Sequence, residues 1–263
     1  MCCGLTMFLA STASAARSFG VRMATKQPIP PSLARDIKAI INIFEVGSPT
    51  ADYTYVEDLG DGRGFTITQY GLCTNEPEVA NVIERYIAIQ PQSPLSRYLG
   101  ALPPYGSGTD MSQLDGFPKL WREEIDTYPA LSNACDEVAD ALYFQPAMEE
   151  ADALGLDLPL GLAVFYDTFL QHGGGDDPDS FSAILDRTLA QVDRPTSAST
   201  PEFLRAFLSV RRTVLLGPAN TATAEVWRRS VTRLDALLGL LEQNPRLRKP
   251  IRVRDGPRRI VLR

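Results

Sequence analysis

Tyr53-Thr54-Tyr55-Val56-Glu57-Asp58-Leu59-Gly60-Asp61-Gly62-Arg63-Gly64-Phe65-Thr66-Ile67-Thr68-Gln69-Tyr70-Gly71-Leu72 is where β-structure is expected in an otherwise helical chain. Residues 53–58 and 65–72 alternate and are rich in Tyr, Val, Ile and Thr, which predicts two strands. Gly60, Gly62 and Gly64 punctuate the turn between them. Upstream, Pro30-Pro31-Ser32 predicts a helix start with Ser32 as N-cap. Leu33, Ile37, Ile40, Ile41 and Phe44 then recur at helical spacing until Gly47 and Pro49 end the helix. Downstream, Asn75 is expected to cap a helix whose face is Val79, Val82, Ile83, Tyr86 and Ile87. Amphipathic helices follow near 112–126 and 130–144, then near 179–192, 201–216 and 223–242. Residues 158–170 are apolar nearly all round, which predicts a central buried helix. The fold class expected is mainly α with a small β-sheet.

The chain has 263 residues, enough for one large domain or two small lobes. Its 32 acids and 26 bases leave a net charge of −6. No apolar run is long enough to span a bilayer. A single histidine, His172, removes any mechanism that needs two, most zinc hydrolase sites included. The four cysteines (Cys2, Cys3, Cys73 and Cys135) contain no CxxC pair, so neither a structural zinc nor a thioredoxin-type site is expected. Cys73 and Cys135 could pair or stay free.

Residues 1–26 read as a leader: acid-poor, rich in Ala, Ser and Thr, with Ala13-Ser14-Ala15 fitting a small-residue cleavage site. A secretory leader, an organelle transit peptide and a true start at Met23 all remain open. Residues 246–263 hold eight bases and one acid, Asp255. Pro245, Pro250 and Pro257 prevent a continuous helix, so 251–263 is expected as a basic tail along the surface, with attachment to a polyanion as the alternative.

Glu45 closes the first helix just beyond the edge of its apolar stripe, where partial desolvation raises a carboxyl pKa. Asp61 stands among glycines that allow a ligand close approach. One protonated acid and one ionised carboxylate are what glycoside hydrolysis requires. Between residues 45 and 78 lie seven acids and one base, Arg63, a field that attracts cations. Taken singly, a helix-end Glu and a turn Asp are more often solvated surface.

The block Tyr53 to Thr66 resembles glycoside hydrolase family 46, the endo-chitosanases. Gly71-Leu72-Cys73, Arg97-Tyr98-Leu99, Trp121, Tyr143-Phe144, Tyr166-Asp167, His172 to Pro178, and Arg211-Arg212 follow in the family's order. The resemblance implies a two-lobed lysozyme-like fold, with a long helix joining the lobes and a cleft between them. It implies an inverting, secreted, cofactor-free hydrolase that cuts β-1,4 links between glucosamine units of chitosan, and no metal site. It places the general acid at Glu45, the general base at Asp61 and the residue holding the attacking water at Thr66. Tyr55, Arg63 and His172 match cleft segments. Glu78 stands where the family usually has an Asp that meets a substrate amine; Asn75 and Glu78 can also be read as an N-cap to N3 capping pair. The segment from Glu45 to Tyr53 is shorter than in members that carry a tryptophan there.

The expected organisation is a leader at 1–26, a catalytic domain of two lobes at 27–250 and a basic tail at 251–263. A monomer without nucleic-acid partners is expected. A muramidase-like hydrolase and a catalytically silent chitosan- or wall-binding protein are the alternatives. The acidic field argues against the first, and the joint presence of Glu45, Asp61 and Thr66 against the second.

Overall fold

The computed structural model describes residues 29–263, so the leader lies outside the described residues. The chain divides into two compact units, one of residues 29–50 with 143–263 and one of residues 51–142.

In the first unit, α1 (Pro31–Val46) buries Ile37, Ile40, Ile41, Ile43 and Phe44. It starts two residues earlier than a Ser32 cap requires: Pro30 is the N-cap and Pro31 is the first helical residue, where a missing N–H costs nothing. Gly47 ends it in the left-handed region, φ 72°, with its N–H donating to the Ile43 carbonyl. The chain re-enters this unit within a continuous helical run: α4 (Pro129–Ala139), a π-helical stretch at Asp140–Phe144, and α5 (Gln145–Ala153). α6 (Pro159–His172) is the expected central helix. Every residue from Leu160 to His172 is buried. It touches α1, α5, α7 (Phe181–Leu189), α8 (Thr200–Leu216) and α10 (Val231–Gln243). Each buried Leu, Val or Phe on it contributes about 1.5–3 kcal/mol.

Two further expectations fail in this unit. The helix foreseen over 223–242 is broken into α9 (Ala224–Arg229) and α10. The Ser230 hydroxyl donates to the Trp227 carbonyl at 2.7 Å and accepts from Gln171 Nε2 at 2.7 Å, so a side chain competes with the helical ladder there. The stretch 251–263 is not a surface tail but an antiparallel hairpin, β4 (Ile251–Asp255) and β5 (Arg258–Leu262), packed on α10 and α1. Ile251, Val253 and Asp255 point inward and Arg252 and Arg254 outward. Arginines at the outward positions hide a period-2 strand pattern beneath charge.

In the second unit, β1 (Val56–Asp58), β2 (Phe65–Ile67) and β3 (Leu72–Cys73) form an antiparallel sheet in the order β1-β2-β3. The strands are shorter than expected. Thr68, at φ 56°, and Gly71, at φ 70°, turn the chain within the stretch read as one strand. α2 (Pro77–Ile89), a 3₁₀ run at Pro94–Ala101, α3 (Phe117–Thr127) and α4 supply the helices. Trp121 is fully buried and donates Nε1 to the Tyr53 carbonyl at 2.9 Å, tying α3 to the segment before β1. The Tyr53 and Tyr70 hydroxyls both donate to Asp136 Oδ1, at 2.8 and 2.5 Å. Gly64 admits no side chain: a Cβ would fall 2.2 Å from both Gly108 O and Thr74 Oγ1. That close approach holds the glycine-rich turn against the loop at Gly108. Cys73 and Cys135 are free, buried thiols.

Candidate active site

Glu45 lies in the last turn of α1, and burial is deeper than a rim position suggests: its side chain is 4% exposed. Its Oε1 accepts from Arg233 Nη1 at 2.9 Å. The same nitrogen donates to Asp167 Oδ1 at 3.2 Å. Asp167 Oδ2 accepts from Arg211 Nη1 at 2.5 Å. Asp167 and Gln171 stand four apart on α6 and therefore share a face; both accept from Arg211. Two guanidiniums thus meet two carboxyl groups in a buried interior, where removing one partner strands the other.

The network ends at His172. Arg211 Nε donates to His172 Nε2 at 3.2 Å, and His172 Nδ1 contacts the Asp179 carbonyl at 2.8 Å. A guanidinium only donates and a carbonyl only accepts, so the ring is the neutral Nδ1–H tautomer. Burial, and then the Arg211 charge, push its pKa well below the usual histidine value. Both ring nitrogens are used by the protein. Burial also raises the Glu45 pKa above the ordinary carboxyl value, and the Asp167 charge adds to it against the opposing pull of Arg233.

Asp61 is set differently. Its Oδ1 accepts from the Arg63 backbone N–H at 3.1 Å, and its Oδ2 from Arg63 Nε and Nη2 at 3.0 and 2.8 Å. Burial pushes this carboxyl up, but the Arg63 bonds and charge push harder the other way, and the net is below the ordinary value. Arg63 Nη1 also donates to Cys73 Sγ at 3.2 Å, and Cys73 Sγ lies 3.6 Å from Thr66 Oγ1. Thr66, buried in the middle of β2, pairs in register with Glu57 and Cys73. Asp61, Arg63, Cys73 and Thr66 are therefore connected. Tyr55, just before β1, donates its hydroxyl to Glu57 Oε2 at 2.8 Å.

The capping reading of Asn75 and Glu78 is overturned. Pro77 opens α2, so the N-cap is Glu76, without a side-chain cap bond, and Glu78 is the second helical residue. Asn75 Oδ1 and Glu78 Oε2 are both buried without a hydrogen-bond partner. Burial, and then the Glu76 charge, raise the Glu78 pKa to about 7.

A profile of glycosyl hydrolase family 46 matches residues 39–251. The chain is a member of glycosyl hydrolase family 46. It is 39% identical over 227 residues to a chitosanase of Bacillus subtilis (strain 168), covering 84% of this chain and 82% of that protein. It superposes on the crystal structure of a native chitosanase from Bacillus subtilis MY002 with a TM-score of 0.79 at 37% identity, over 89% of this chain and 99% of that one. A Gynuella sunshinyii family 46 chitosanase in complex with chitotetraose gives 0.79 at 35%, with the same coverage. The mainly α fold with its small sheet is thus the lysozyme-like fold of family 46.

In this family 46 chain the site residues fall into two sets, one per unit: Glu45 and His172 in the first, Tyr55, Asp61, Arg63, Thr66 and Glu78 in the second. Arg233 is the partner of Glu45 that sequence reasoning missed. A signal existed: Arg233 stands four residues before Leu237 and seven before Leu240, inside the apolar stripe of α10, where an exposed arginine has no place. The thiol of Cys73, midway between Arg63 and Thr66, was also passed over.

Proposed function

We infer that the protein is an endo-chitosanase, hydrolysing β-1,4 links between glucosamine units with inversion. The observation that carries this reading is the opposite displacement of two carboxyls in a family 46 chain: Glu45 raised by burial and Asp61 lowered by Arg63. Glu45, protonated, gives its proton to the leaving glycosidic oxygen. Asp61, ionised, takes a proton from water as that water attacks the anomeric carbon from the opposite face. Thr66 positions the water. Arg233 fixes the Glu45 carboxyl, and Arg63 keeps Asp61 ionised and oriented.

Tyr55, Arg63 and Glu78 serve substrate binding. A buried carboxyl oxygen without a partner costs about 1–3 kcal/mol, and a glucosamine ammonium relieves that cost by pairing with Glu78. The seven acids between residues 45 and 78 draw the polycation in. His172 acts at one remove, holding Arg211 on Asp167. Every proposed group comes from one chain, so a monomer suffices. A polymeric substrate places the enzyme outside the cell, and among the described residues no helix is long and apolar enough to cross a membrane.

The test is reducing-end release from fully deacetylated chitosan, with NMR of the earliest product. Release of the α-anomer is expected, with little turnover of chitin. A β-anomer, or equal turnover of chitin at low salt, overturns the reading.

A further inference from the structure

Eight of the chain's 26 bases, but only one of its 32 acids, fall in residues 246–263. The rest of the chain is therefore left strongly acidic, and the positive charge is concentrated on the terminal hairpin. The fold then sorts that charge by face. Register pairs Arg252 with Val261 and Arg254 with Arg259. Directly opposed residues of an antiparallel pair share a face, so three arginines and one valine form a single outward surface, all four exposed. The opposite face, with Ile251, Val253 and Leu262, is buried.

Neighbouring bases are spoken for: Lys249 pairs with Asp36 and Arg258 with Asp255. Among the described residues, none of Arg252, Arg254 and Arg259 joins an ion pair; Arg259 reaches only the backbone carbonyls of Gly256 and Arg258. Arg254 directly opposite Arg259 is a like-charge pair, which costs stability. Solubility does not call for it, since a mixed-sign surface serves as well.

The chemistry of the face narrows its ligand. Seven of the eight bases are arginines, and the guanidinium fork matches phosphate oxygens bidentately. Along a strand, outward residues repeat every ~6.6 Å, and cross-strand neighbours lie roughly 4.5–5.5 Å apart. That is a ladder of anion sites at the scale of successive phosphates in a linear polymer. Residues 244–263 contain no aromatic side chain on which a base could stack. Its arginines can meet guanine edges, but the outward face offers no amide or hydroxyl to read the other bases, and one valine is too little apolar surface for membrane insertion. We propose that the outer face of the hairpin is a docking surface for a linear polyol-phosphate polymer, which anchors the enzyme by a surface other than its catalytic one.

The test uses the purified full chain and immobilised poly(glycerol phosphate), with single-stranded DNA and phosphatidylglycerol vesicles as parallel probes. Wild type is expected to bind the polymer at 50 mM salt, more tightly than either other probe, and to weaken as salt rises. The triple variant Arg252→Gln/Arg254→Gln/Arg259→Gln is expected to lose at least tenfold in affinity. Its salt slope is expected to fall by roughly 2, three phosphate contacts at ~0.7 each. Turnover of soluble chitosan should be unchanged in the variant, which separates this proposal from the catalytic one. The proposal fails if the triple variant binds the polymer as wild type does. It also fails if DNA or the vesicles bind wild type more tightly than the polymer, a comparison that does not depend on any variant folding.

Discussion

Arg233 donates to Glu45 at 2.9 Å across 188 residues of sequence. The last turn of α1 and the first turn of α10 meet at that bond. One nitrogen of Arg233 also serves Asp167, so the carboxyl assigned as proton donor is oriented by a group that a second carboxylate holds in place.

Replacing Arg233 by Met keeps much of its length and removes its charge. Asp167 then keeps only Arg211, and Glu45 loses the larger of its two opposing charges. Breaking a buried ion pair costs about 3–5 kcal/mol, so denaturant unfolding should show a loss of that order. In what folds, the Glu45 pKa should rise further, and the basic limb of the kcat profile should move to higher pH. Arg233→Lys should recover part of the stability and little of the turnover, because an ammonium cannot reproduce the fork. Unchanged stability and an unchanged basic limb in Arg233→Met would remove Arg233 from this role.

Glu45→Gln and Asp61→Asn each delete one proton-transfer partner while keeping shape. General acid or base help is worth roughly 10²–10⁴ in rate, and kcat on chitosan should fall by at least the lower figure in each. Binding of glucosamine oligomers should persist in both, since the other acids between residues 45 and 78 remain. Near-full activity in Asp61→Asn would move the base elsewhere, with Asp58 and Glu57 the first to examine.

Arg63→Gln separates the two limbs of the pH profile. Arg63 supplies both the side-chain bonds and the charge that lower Asp61. Without them the Asp61 pKa rises, and the acid limb should move to higher pH. The basic limb, set by Glu45, should stay where it is. Both limbs moving together would mean that Arg63 acts through the fold rather than through Asp61.

Much of this was legible in the sequence because the signals were local. The Gly60–Gly64 turn, the apolar stripe of α1 and the all-apolar run of α6 each announce themselves within a few residues. What escaped was non-local or masked. Nothing near Glu45 in the chain points to Arg233, because their bond is made by tertiary packing. The hairpin at 251–263 was covered by its outward arginines. The Asn75 cap failed because Pro77 fixes the helix start one residue later, and this left the Glu78 carboxyl buried instead of capping.

That misplaced cap makes Glu78 the most informative residue to change. Burial raises its pKa from 4.5 to about 7. The folded form therefore binds this proton more tightly than the unfolded chain does. The stabilisation it represents is complete below about pH 4.5 and is lost as pH rises through 7. A shift of that size corresponds to about 3 kcal/mol at most, and partial solvent contact reduces it to ~1–2 kcal/mol. Glu78→Gln should accordingly gain stability relative to wild type between pH 4.5 and pH 8, read as a rising difference in Tm. A substrate ammonium reverses the balance by favouring the ionised carboxylate, so a glucosamine oligomer should protect wild type more at pH 7 than at pH 5 and protect Glu78→Gln less than wild type. Glu78→Ala should raise KM for chitosan more than it lowers kcat, while Glu78→Asp, the side chain usual in the family, should keep turnover. An unaltered KM in Glu78→Ala, with ligand protection equal to wild type at pH 7, would leave Glu78 with no part in binding the substrate amine.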